Sequence, residues 1–94
     1  MVSEVKASHI LVKTQDQAKE IIAQIQGGAS FEKIAMEKST CPSGRRGGDL
    51  GWFGRGRMVK AFENAAFLLK KGEMTKEPVK SDFGWHVIKV TDAK

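Results

Sequence analysis

Two histidines and one cysteine are the obvious candidates for proton-transfer or nucleophilic chemistry in this 94-residue sequence. Each histidine opens a strongly aliphatic segment, His9-Ile10-Leu11-Val12 and His86-Val87-Ile88. If those segments are neighbouring strands, both imidazoles can project from one face of a sheet. Otherwise each ring is satisfied by a backbone carbonyl, and residue pattern alone favours that simpler reading. Cys41 could act as a nucleophile with a histidine base, although a small buried thiol is the commoner use. Zinc fits poorly, because one cysteine and two distant histidines lack any ligand-pair spacing. No paired carboxylates stand out for acid/base hydrolysis. Met58 and Phe83 stand at element boundaries, where the walls of a shallow apolar cleft originate, and Phe62 reads first as core packing.

The elements that must position these groups are legible from periodicity. Val5 to Lys13 reads as a strand. Thr14 to Gln17 matches a capping box, and Ala18, Ile21, Ile22 and Ile25 then share one helix face until Gly27-Gly28. Ser30 can cap a second helix with Phe31, Ile34 and Ala35 inward. The chain turns at Thr40-Cys41-Pro42-Ser43-Gly44, and Asp49 to Phe53 reads as a short strand. A third helix from Val59 places Phe62, Ala65, Ala66 and Leu69 together, with Lys70 and Lys71 expected in its last turn and Gly72 as its stop. Pro78 to Lys80 is extended, Ser81 to Gly84 is a turn, and Trp85 to Val90 is the closing strand. Amphipathic helices need a sheet to cover, so the expectation is one compact α+β domain over residues 1–94, with the first and last strands central.

Charge is concentrated rather than spread. The formal charge is +5, yet residues 1–40 are balanced, with five basic and five acidic side chains. Residues 41–60 hold Arg45, Arg46, Arg55, Arg57 and Lys60 against Asp49 alone, together with six of the ten glycines. A solvated glycine-rich loop explains this simply. Arg46-Gly47-Gly48 beside Trp52 and Phe53 permits a nucleic-acid reading, but one such triplet is weak evidence. The glycines match neither the phosphate-loop nor the dinucleotide fingerprint. The composition, 40% hydrophobic and 29% charged, is that of a folded domain, and no apolar run could span a membrane. One cysteine and no apolar leader point to a reducing compartment.

Four segments in this order resemble the parvulin family of peptidyl-prolyl cis/trans isomerases, over nearly the whole chain. They are Ser8-His9-Ile10-Leu11-Val12-Lys13, Cys41-Pro42-Ser43-Gly44 with Arg46 to Phe53, Met58 to Phe62, and Phe83 to Lys89. The resemblance implies a four-stranded antiparallel sheet surrounded by three to four helices. It reverses the reading of the histidines: His9 and His86 would lie side by side under the substrate, with Ser81 supplying a hydroxyl to the same network. Cys41 would face the isomerising bond, and Leu50, Met58, Phe62 and Phe83 would line the proline pocket.

Such an enzyme rotates an X-Pro bond without breaking it and needs no metal or cofactor. Its partners would be proline-containing peptides and unfolded or folding protein clients, with no specific nucleic acid and no membrane span. The phosphate-directed branch of the family carries a long basic insertion after the first strand, whereas Lys13 here leads at once into Thr14. Phosphorylation before proline is therefore not expected to be required, and Arg45 and Arg46 would attract acidic substrates only non-specifically. A monomeric, cytoplasmic protein is expected, unless the chain is a domain of a larger exported folding factor.

Overall fold

The computed structural model describes residues 2–94. Its order is β1 (Glu4–Val12), α1 (Gln15–Gln26), α2 (Phe31–Lys38), a 3-10 turn (Pro42–Arg46), β2 (Asp49–Gly54), α3 (Lys60–Leu68), β3 (Val79–Ser81) and β4 (Gly84–Ala93). The strands form one antiparallel sheet in the order β2-β1-β4-β3. The two strands with the longest aliphatic runs thus take the centre, where both faces are covered.

Side-chain alternation divides the core between two faces of the sheet. Ile10, Val12 and Val87 pack under α1 and α2 with Ala18, Ile21, Ile22, Phe31, Ile34 and Ala35. Val5, Ala7, Ile88 and Val90 pack under α3 with Phe53, Phe62 and Ala66. Both early helices start as their sequences require: Thr14 Oγ1 accepts the Gln17 amide and Ser30 Oγ accepts the Lys33 amide. Val59 stands at the N-cap of α3 and, being aliphatic, makes no side-chain cap bond.

Three expectations change. The segment after Cys41 is a 3-10 turn rather than an open loop, closed by Gly47 in the left-handed region. Arg46-Gly47-Gly48 is part of this joint. Gly48 approaches β1 so closely that a Cβ would lie 2.4 Å from the His9 carbonyl oxygen, at a φ of +88°, so only glycine fits. The third helix ends at Leu68, and Lys70 and Lys71 lie beyond its last turn. Leu69 turns extended and packs against the core, the Lys70 amide donates to the Glu73 carboxylate, and the Gly72 amide donates to the Val90 carbonyl. Those bonds draw the chain back to β4 sooner than the periodicity implies. Among the described residues no helix is long and apolar enough to cross a membrane.

Candidate active site

The β1–β4 register creates the site. His9 lies opposite Ile88 and Leu11 opposite His86, so the two histidines are diagonal neighbours on the face that α3 covers. Their rings stack at 20° with centroids 5.2 Å apart, and the two Nδ1 atoms are 3.0 Å apart. His86 Nε2 lies 2.6 Å from Ser81 Oγ at the end of β3. Ser81 Oγ also accepts the Phe83 amide at 3.2 Å, which holds the β3–β4 turn against the histidines. Phe62 of α3 meets both imidazoles edge-to-face, at 5.4 and 5.3 Å.

Burial under Phe62 keeps this pair uncharged. Desolvation, reinforced by repulsion from His86, pulls His9 from 6.5 down to about 4. Desolvation also lowers His86. Between two neutral rings whose Nδ1 atoms face each other, only one Nδ1 carries a proton. His9 Nε2 is buried without a hydrogen-bond partner. Leaving a bare lone pair there is cheaper than stranding an N–H. The network therefore assigns the proton to His9 Nδ1, which donates to His86 Nδ1. His86 then carries its proton on Nε2 and donates to Ser81, whose own O–H stays free.

A cleft of about 580 Å³ opens above the pair. His9 and His86 contribute to its lining, and Leu50, Met58, Phe62 and Phe83 line it together with Leu11, Pro42 and Val59. Leu50 comes from β2, Met58 from the β2–α3 loop and Phe62 from α3. Phe83 is 68% exposed and forms a lip at the β3–β4 turn. Cys41 also lines the cleft. It is carried there because the Thr40 amide donates to the Leu11 carbonyl and Ser39 Oγ accepts the amides of Leu11 and Cys41. Its Sγ accepts from Ser43 Oγ at 3.2 Å, and no imidazole nitrogen hydrogen-bonds to it. A thiol–histidine nucleophile pair is thus not assembled.

The sequence-expected residues converge, with Ser81 one hydrogen bond behind the cleft rather than on its surface. The basic side chains of residues 41–60 do not all face the cleft. Arg55 turns away to pair with Glu63 at 3.4 Å and to cover Phe67 at 4.4 Å. Only Arg57 lines the cleft, while Arg45 and Arg46 line a neighbouring hollow.

Glu63 is the residue that the sequence reading missed. It is buried in α3, accepts the Gly56 amide and the Arg55 guanidinium, and so pins the loop that carries Arg57 and Met58. A signal for it existed, because Glu63 lies three residues before buried Ala66 and next to Phe62, inside the apolar stripe. A carboxylate there must have a partner.

Comparison with known proteins agrees with this geometry. A family model described as the PPIC-type PPIASE domain matches residues 1–94. The foldase protein PrsA of Geobacillus kaustophilus is 56% identical over 90 residues, which cover 95% of this chain and 32% of that protein. The chain thus spans about a third of the length of this curated relative. The crystal structure of the peptidylprolyl isomerase PrsA from Bacillus anthracis superposes with a TM-score of 0.95 at 47% identity, covering 99% of this chain and 43% of that one. The solution structure of NmPin, the parvulin of Nitrosopumilus maritimus, gives 0.84 at 46% identity, with 94% and 95% covered. The chain belongs to the PPIC-type peptidyl-prolyl cis/trans isomerase, or parvulin, family.

Proposed function

We propose that this chain accelerates cis/trans rotation about X-Pro bonds in unfolded or folding clients, by a non-covalent route. The observation that carries the reading is the neutral His9–His86 pair at the base of a mostly apolar cleft, backed by Ser81 one hydrogen bond behind it. Amide resonance sets a barrier of about 18–20 kcal/mol, and rotation removes that resonance without breaking a bond. The catalyst therefore needs a water-poor grip on the proline ring and fixed dipoles beside the twisting amide. Leu50, Met58, Phe62 and Phe83 supply the grip. The histidine row supplies dipoles that need no reorganisation, because burial keeps both rings neutral. A thousandfold acceleration requires only about 4 kcal/mol.

Cys41 acts in this reading as a soft polar wall near the rotating bond. The hydrogen bonds favour that role, since every described bond of the two imidazoles lies within the His9–His86–Ser81 row. Residues 1–94 would constitute one isomerase domain, active as a monomer. Its setting is the cytoplasm if the domain stands alone, and that of the larger protein if it is the isomerase part of a longer foldase. No phosphate before proline is required, because β1 leads directly into the Thr14 cap with no basic insertion between them.

The test is NMR exchange on an unphosphorylated X-Pro peptide, with the chain at a small fraction of the peptide concentration. Accelerated exchange is expected, with peptide-induced shifts at the cleft. Binding without acceleration would leave a client-holding module and overturn the enzymatic reading.

A further inference from the structure

The cleft does not end at Cys41. Thr40, Cys41 and Pro42 form a low wall whose far side lines a second hollow of about 540 Å³. Across that wall stand Met36, which is 64% exposed, and the exposed Arg45 and Arg46 of the 3-10 turn. Among the described residues, ion pairs engage Arg55, Lys71 and Lys94, while Arg45 and Arg46 have none. Glu32 of α2 packs beside Gly47, and neither it nor Glu37 forms an ion pair with Arg45 or Arg46. Two unpaired guanidiniums in a hollow continuous with a peptide cleft form a carboxylate-recognising arrangement.

We propose that this hollow is a second client subsite, which takes an aspartate or glutamate side chain two or three residues away from the bound proline. The proposal rests on the isomerase reading, since it presumes a proline segment in the first cleft. The spacing follows from size. Cube roots of 580 and 540 Å³ make each hollow about 8 Å across, so adjoining centres lie about 8–10 Å apart. An extended chain advances about 3.3–3.6 Å per residue. A residue touching the proline directly stays within the first cleft, so this subsite is not a phosphate clamp for the preceding residue. Met36 offers an apolar surface to the methylenes of the same side chain.

Matched unphosphorylated peptides test the idea, with glutamate or glutamine placed three residues before or three residues after one Ala-Pro. At about 20 mM salt the glutamate peptide on one side should show a KM roughly five- to tenfold lower, shrinking towards equality near 0.5 M as screening shortens the field. Arg45→Glu/Arg46→Glu should abolish or invert that ratio. Equal KM values on both sides at low salt, or a ratio that survives the double variant, overturn the subsite. Backbone shifts of residues 36–46 with the same peptides read the hollow without turnover. Glutamate-dependent shifts there without acceleration would support the subsite and refute the isomerase reading. Acceleration without such shifts would do the reverse.

Discussion

Replacing His9 with asparagine should remove a defined part of the pH dependence of folding. His9 is 5% exposed, and burial together with the adjacent His86 takes it from 6.5 to about 4. Between those values the unfolded chain binds a proton that the folded chain refuses. Stability from this group is therefore fully present above pH 6.5 and is lost as pH falls towards 4. The difference of about 2.5 pH units is worth about 3 kcal/mol at 1.36 kcal/mol per unit, and most of it, about 2–3 kcal/mol, disappears between about pH 7.5 and pH 4.5. Burial lowers His86 as well, so its contribution has the same sign. A domain of this length has a total stability of about 5–14 kcal/mol, so the loss is readily measured. Urea unfolding followed by the fluorescence of Trp52 and Trp85 at a series of pH values supplies the free energies. Carboxylates titrate in the same range, and subtracting the His9→Asn curve cancels them. Asparagine can still face His86 Nδ1 with an amide, so the variant should fold. If both proteins lose stability in parallel, or if the His9 ring titrates near 6.5 by NMR, the neutral-pair argument fails.

Cys41→Ser should keep at least about a tenth of wild-type kcat/KM, since removing a true nucleophile costs several orders of magnitude; near-complete loss in a folded variant would establish a covalent role. Met58→Ala should raise the KM for proline peptides several-fold while kcat stays within about twofold, because it trims the grip and leaves the histidine row intact; unchanged kinetics would remove Met58 from the pocket. Glu63→Ala should lower stability by about 1–3 kcal/mol and raise KM by freeing the Arg57–Met58 loop. Glu63→Gln keeps an acceptor for the Gly56 amide, so it should restore most of the KM; equal effects of the two substitutions would show that loop positioning is not what Glu63 provides.

Much of the fold could be read locally. The Thr14 and Ser30 caps, the Gly27 stop and the central place of β1 and β4 follow from side-chain chemistry and periodicity that act over a few residues. The end of α3 could not, because its last turn gives way to bonds with Glu73 and Val90, and Val90 belongs to another part of the chain. The direction taken by Arg55 was illegible for a similar reason. Its sequence neighbours are basic and glycine-rich, but its partners Glu63 and Phe67 lie on α3. Glu63 itself carried a legible warning, a charge inside an apolar stripe, without any indication of which amide would answer it.

By itself, the sequence determined which side chains were available and on which elements they lay: two histidines on aliphatic strands, one cysteine after α2, and aromatic groups flanking glycine turns. Residue pattern alone favoured two unrelated histidines, and only the family resemblance reversed that reading. Tertiary structure decided that His9 and His86 are partners, since a one-residue slip between β1 and β4 would send one ring to the opposite face. It also decided their charge, because desolvation depends on Phe62 arriving from a helix more than fifty residues beyond His9. Register and burial are sums over distant contacts, and no local pattern encodes them.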